Sequence, residues 1–171
     1  MEKLYDKLVP KDPDPIDNEI FNQCKILSWL EPKNFISSKI NYVFDSFLPD
    51  VIQYFKEIEK QKSPRKKLNY MSKIFKSISN MVKFSGGKEV GTDDSQDILN
   101  FALIKAKPSH IYSDCKYMDL FLGDKKLKEQ GFQLTQLMAS CQFSRKITAD
   151  NLFGIDAELF NKKCSAYNNS T

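Results

Sequence analysis

The chain has 171 residues, enough for one domain with a single hydrophobic core. Its 41% hydrophobic content and 13 Phe argue against disorder, and a net charge of only +4, from 26 basic and 22 acidic residues, argues against the basic footprint of a nucleic-acid-binding domain. With only six Gly, apolar residues recurring at spacings of three and four, and no sustained period-two alternation, the expected class is all-α.

Pro10, Pro13 and Pro15 read as forbidding a helix over residues 1–15. The first helix is predicted from Asp17 as its N-cap, with Ile16 and Phe21 as a hydrophobic staple and Ile20, Cys24, Leu27 and Leu30 as its apolar face. Pro32 is expected to end it. Ile40, Val43, Phe44 and Phe47 make the next helix, Pro49 breaks it, and Val51, Ile52, Phe55 and Ile58 begin another. Ser63 and Pro64 form a cap-plus-N1 start. Met71, Ile74, Phe75, Ile78, Met81 and Val82 follow as an amphipathic face. SGGKEVG, residues 85–91, is a glycine-rich connector. A helix is then predicted from about Asp94 to Ala106, where GTDDSQDILNFALIKA turns from acidic to apolar within four residues, before Pro108. A short helix is placed at about Ile111–Leu122, and Lys125, Lys126 and Lys128 lie in a polar connection. Gly131 is expected to precede a helix carrying Phe132, Leu134, Thr135, Leu137, Met138, Cys141 and Phe143. Asp156 caps a last helix ending at about Cys164. The domain is expected to span 1–165, followed by a mobile tail, 166–171.

The residues that could carry chemistry are few. Cys24, Cys115, Cys141 and Cys164 are far apart and, with the one His, make a poor zinc site, so no metal and no cofactor is expected. Met1 is followed by Glu2 and Lys3 rather than an apolar run, and no stretch approaches the roughly 18 apolar residues of a membrane span, so a cytoplasmic location with reduced thiols is expected. SGGK lacks the spacing of a phosphate loop, and Lys88 is followed by Glu89 rather than a hydroxyl. His110 and Cys115 offer a base and a nucleophile without a third orienting group. The basic run with Lys60, Lys62, Arg65, Lys66 and Lys67 reads as a solvated helix start or as a weak contact with an anionic membrane surface. Asp93, Asp94 and Asp97 leave three readings open: carboxylates complementing a helix dipole, a divalent-metal site, or an acidic prong for a basic pocket on a partner.

Four segments occur in an order that resembles the vacuolar protein sorting nine (Vps-nine) domain family. LSWLEPKNF (27–35) resembles its Leu-x-Trp-Leu-x-Pro signature, and KSPRKKL (62–68) resembles the Lys-x-Pro element that follows. GTDDSQDILNFALIKAKPSHIYSD (91–114) is similar to the family's most specific motif, which opens Gly-Ala-Asp-Asp/Glu-hydrophobic-Leu-Pro. GFQLTQL (131–137) is similar to its Gly-Tyr-Tyr-(Leu/Phe)-Thr-x-Leu. ITADNLFGIDAELF (147–160) more loosely resembles its last helices, so the likeness covers about residues 4–165.

The resemblance implies a layered all-helical domain of about seven or eight helices. It implies a guanine nucleotide exchange factor for an endosomal Rab GTPase, peripheral to early endosomes, making and breaking no bond of its substrate. Asp93 stands at the position of the family's catalytic acidic finger. Thr135 matches the family's Thr, Phe132 stands where the family has Tyr, and Asp97 where it has Pro; all three are expected to contact the partner. The family pattern also carries a further helix upstream of the position of Leu4, where this chain has MEKLYDKL. The alternative is a degenerate member that binds a Rab without catalysing exchange. No nucleic acid is expected as a partner.

Overall fold

A computed structural model of the chain describes residues 5–7, 14–36, 41–85, 92–123 and 128–168, with the backbone alone for 41–43, 92, 93 and 168. Seven helices follow one another: α1 (Pro15–Ile26), α2 (Asn41–Lys60), α3 (Pro64–Phe84), α4 (Thr92–Ala106), α5 (Ile111–Leu122), α6 (Glu129–Lys146) and α7 (Ala157–Asn168), with 3-10 turns at Pro32–Asn34 and Ala149–Asn151. Residues 5–7 add a helical turn, and no strand occurs among the described residues. The all-α expectation holds.

The centre of the molecule is α4. From Ile98 to Ile104 every side chain is buried, so the helix is apolar nearly all round and needs neighbours on every side. It packs against α1, α2, α3 and α6. Phe101 carries much of the contact, with its ring 5.5 Å from Phe35 and 5.1 Å from Phe44. Lys107 closes α4 in the left-handed region at φ 50, its N–H donating to the Leu103 carbonyl, and Pro108 prevents continuation.

Several boundaries differ from the sequence expectation. Asp17 does not cap α1. Asp14 does, accepting from the Ile16 N–H at 2.9 Å, and Pro15 takes the first helical position, where its missing N–H costs nothing. The helix ends at Ile26, before Pro32, because the chain tightens into i to i+3 bonds such as Leu30 N–H to the Leu27 carbonyl. Pro49 does not break the next element: α2 runs through it unbroken. The Asp45 carbonyl that loses its donor lies on the exposed side with Pro49. Phe44, Val51, Phe55 and Ile58, all buried on one face, hold both halves to the core.

The start of α3 is as expected, with Ser63 accepting from the Lys66 N–H and Pro64 at N1. Gly131 lies inside α6, two residues past its start, and is buried. Asp156 caps α7, accepting from the Leu159 N–H at 2.7 Å, and α7 runs on to Asn168. The glycine connector at 86–91, Lys125 and Lys126 lie outside the described residues, as does the end of the tail, 169–171.

A buried polar cluster pins α5 in place. Two carboxylates from other helices serve its N-terminus: Glu59 of α2 accepts from the Ser109 and His110 backbone N–H groups, and Asp17 of α1 from those of Tyr112 and Ser113 and from the Ser113 hydroxyl. Beside them Lys67 and Asp114 form an ion pair at 2.7 Å with both side chains 0% exposed. The Lys67 ammonium also donates to the Ile58 carbonyl at 2.6 Å, and Tyr5 lies over it with its ring centroid at 4.8 Å. Lys67 is therefore not part of a basic surface. Its position continues the buried stripe of Pro64, Leu68, Met71 and Ile74. Burial pushes the Asp114 carboxyl up to about 7, against the pull of Lys67, and pushes the Lys67 ammonium down, against the pull of Asp114.

Candidate functional site: a groove beside the acidic start of α4

A groove of about 760 Å³ opens between α3, the start of α4 and the first half of α6. Ser72, Phe75, Lys76, Ser79 and Lys83 of α3 form one wall; Glu129, Phe132, Gln133 and Gln136 of α6 form the other; Ser95 of α4 contributes at one end. Its walls are braced by side-chain bonds. The Ser72 hydroxyl donates to Gln133 Oε1 at 3.0 Å, and Gln130 Nε2 to the Ser72 hydroxyl at 3.3 Å. Gln96 of α4 donates to the Ser140 hydroxyl of α6 at 2.7 Å.

Phe132 is the large apolar residue presented here, 58% exposed although it begins an otherwise well-packed helix. An exposed ring in a braced groove with polar walls is the form of a docking anchor. The charges differ across the groove, with Lys76 and Lys83 on the α3 wall and Glu129 on the α6 wall.

Of the residues picked from sequence, Phe132 lines the groove. Thr135 is exposed three positions further along α6, on the adjacent surface, and its hydroxyl donates to the Gly131 carbonyl of its own helix at 3.0 Å. Asp97 is half-buried on α4 and does not line the groove. Asp93 is the second residue of α4, two before Ser95; its side chain lies outside those described. The helix begins at Thr92 rather than at about Asp94, so Asp93 and Asp94 both sit in the first turn.

The nucleophile reading of Cys115 loses ground. Cys115 is fully buried, and both a hydrogen bond with the neighbouring Cys141 and burial hold its thiol well above the ordinary value, the reverse of an activated nucleophile. No group of three His, Cys, Asp or Glu side chains suited to a metal ion occurs among the described residues. No described helix is long and apolar enough to cross a membrane.

Sequence reasoning missed the α3 wall, Gln96 and the Gln133–Ser72 brace. Lys76 and Lys83 looked like any solvent-side lysines of an amphipathic helix. Gln96 did carry a signal, because it is a polar residue where the family pattern has Leu.

The model of the Vacuolar sorting protein 9 (VPS9) domain matches residues 48–149, which contain α3, α4, α5 and α6. Among curated relatives, the Rab5 GDP/GTP exchange factor of Bos taurus is 25% identical over 82% of this chain and 30% of its own length, and that of Homo sapiens gives the same figures. The Vacuolar protein sorting-associated protein 9A of Oryza sativa subsp. japonica is 24% identical over 95% of this chain and 35% of its own length. The chain thus spans about a third of the length of these relatives. With the ordered motifs, the all-helical architecture and a family match over most of the chain, the chain belongs to the VPS9 domain family.

Proposed function

We propose that this chain is a guanine nucleotide exchange domain for a small GTPase of the endosomal Rab class, with Asp93 as its acidic finger. What supports the reading is membership of a family whose matched relatives include exchange factors named for Rab5, together with the position of Asp93 in the first turn of α4, two residues before Ser95, which lines the groove with Phe132. The activity requires no cofactor. The domain meets its GTPase at early endosomes, as a peripheral rather than membrane-spanning component.

The chemistry is a competition for one lysine. The GTPase's phosphate-loop lysine holds the nucleotide's β-phosphate, and a carboxylate brought to that place satisfies the lysine and repels the phosphates. At about 4 Å and an effective dielectric near 20, two unit charges interact by roughly 4 kcal/mol. Lowering the release barrier by about that much accelerates release roughly a thousandfold. Phe132 supplies apolar area for docking and Thr135 lies beside it on α6, so recognition and displacement are divided between two helices.

The deciding experiment is release of labelled GDP from a panel of endosomal Rab proteins, with wild type beside Asp93→Ala. Accelerated release by the wild type, reduced about a hundredfold or more by Asp93→Ala, is the expected result. A wild type without effect on any Rab, or a fully active Asp93→Ala, overturns the reading.

A second reading is a module that binds a Rab without exchange, favoured by Asp97 and Phe132 standing where the family pattern has Pro and Tyr. Pull-downs separate the two. An exchange catalyst prefers the nucleotide-free GTPase, because it works by stabilising that state, whereas a binding module of effector type prefers the GTP form. A weak contact with anionic membrane through the exposed Lys60, Lys62, Arg65 and Lys66 is a further part of the proposal. Flotation with acidic vesicles at low and high salt tests it, since such attraction is screened.

A further inference from the structure

We infer that Gln96 is a positioning residue for the acidic finger: its side-chain amide clamps the start of α4, the helix that carries Asp93, to the middle of α6, the helix that carries Phe132. The inference rests on the exchange reading above and deepens it.

Gln96 Nε2 lies 2.7 Å from the Ser140 hydroxyl, 3.2 Å from the Gln136 carbonyl and 3.3 Å from Asn100 Oδ1. Two of these acceptors belong to α6 and one to α4 itself. Ser140 is fully buried and Asn100 nearly so, so the amide is bound in a place where water competes poorly. The location matters as much as the bonds. The apolar grip on α4 begins at Ile98, while residues 94–97 are only half-buried. Gln96 is three residues past Asp93 in the same helix, less than one turn further along its backbone. Gln136, whose carbonyl takes one of the bonds, lines the same groove as Phe132. The clamp therefore ties the finger's turn to the docking wall itself.

The family pattern has Leu at this place, and an apolar contact can slide. Hydrogen bonds fix distance and direction. For a charge that must meet one lysine on a partner, that difference bears on rate: even a displacement of about 1 Å costs on the order of a hundredfold when reacting groups must align.

The test compares wild type, Gln96→Glu, Gln96→Leu and Ser140→Ala in the full chain. Three quantities are read: the maximal rate of GDP release, the half-saturating GTPase concentration, and amide hydrogen exchange over residues 92–100. Gln96→Glu keeps the shape but removes the N–H donors, leaving a carboxylate beside the Gln136 carbonyl and Asn100 Oδ1 with only the Ser140 hydroxyl able to donate to it, so the maximal rate is expected to fall about tenfold or more, on the scale of such misplacement. The half-saturating concentration is expected to stay within about twofold, since the docking anchors are untouched. Exchange of the amides before Ile98 is expected to speed up while those of the α4 body stay protected. Gln96→Leu and Ser140→Ala are expected to lower the maximal rate in the same way but less, and Gln96→Leu/Ser140→Ala to be less than the sum of its parts, since both remove the Gln96–Ser140 bond.

A Gln96→Glu variant as fast as wild type overturns the clamp and leaves the exchange reading standing. So does a loss of rate that merely follows loss of folded protein in a thermal melt, or loosening spread over all of α4. A wild type that releases nucleotide from no Rab overturns the exchange reading, and the positioning role with it.

Discussion

At the scale of single residues, the informative groups are those whose neighbours change their chemistry. Lys67 and Asp114 are both fully buried, and each depends on the other for its charge. Removing one partner of such a pair leaves an uncompensated ion, which typically costs about 3–5 kcal/mol. Lys67→Ala is accordingly expected to lower unfolding free energy by about that much, read from the midpoint of urea denaturation at constant slope. The pair also gives stability a pH dependence. Asp114 has an ordinary value of 3.8 and a folded value of about 7, raised chiefly by burial. Between those values the folded protein holds a proton that the unfolded chain releases, so this group makes stability fall as pH rises from 3.8 to about 7. The melting temperature of wild type is expected to be higher at pH 6 than at pH 8, and Asp114→Asn is expected to flatten that slope. A slope that survives the substitution assigns it to another group.

At the scale of elements, the N-terminus of α5 and the first turns of α4 and α6 carry the main conclusions. Two carboxylates from two other helices meet the free N–H groups of α5, so Glu59 and Asp17 act as caps supplied from outside the helix. Because the groups they satisfy are partly or wholly buried, Glu59→Ala is expected to cost about 1–2 kcal/mol in thermal unfolding, at the upper end for a cap. The α4 and α6 starts bear on activity instead. Asp97→Pro with Phe132→Tyr restores the family pattern at both places. If those residues weaken catalysis, the double variant exchanges faster than wild type on the same Rab; an unchanged rate marks them as adapted to the partner this chain meets.

At the scale of the whole molecule, a central apolar helix is gripped by four others, and one groove opens where its acidic end meets the surface. Lys76 and Lys83 on one wall and Glu129 on the other give that groove a polarity that a partner must match. Reversing charge at Lys76 and Lys83 together is expected to slow association with the cognate GTPase by about tenfold at low salt and less at high salt, because rim charges act mainly on encounter. Stopped-flow association at two ionic strengths measures this.

Most helices could be read directly from periodicity and caps. The interval Ile111–Leu122 for α5 follows apolar spacing, and the Ser63–Pro64 start of α3 is a local event in which Ser63 satisfies a free N–H of its own helix. The ordered motifs likewise identified the family, and with it Asp93, Thr135 and Phe132 as the residues to examine. Tertiary structure decided what local rules could not. Pro49 stays within one helix because a core face spans it and its orphaned carbonyl faces solvent. Asp17 looks like the cap of its own helix and instead serves another 95 residues away. Lys67 looks like part of a basic run and is the most buried charge in it. Gln96 reads as one polar residue among several until α6 supplies its acceptors. In each case the sequence specifies a donor, an acceptor or a charge, and only the packing of distant helices determines whether water or another residue satisfies it.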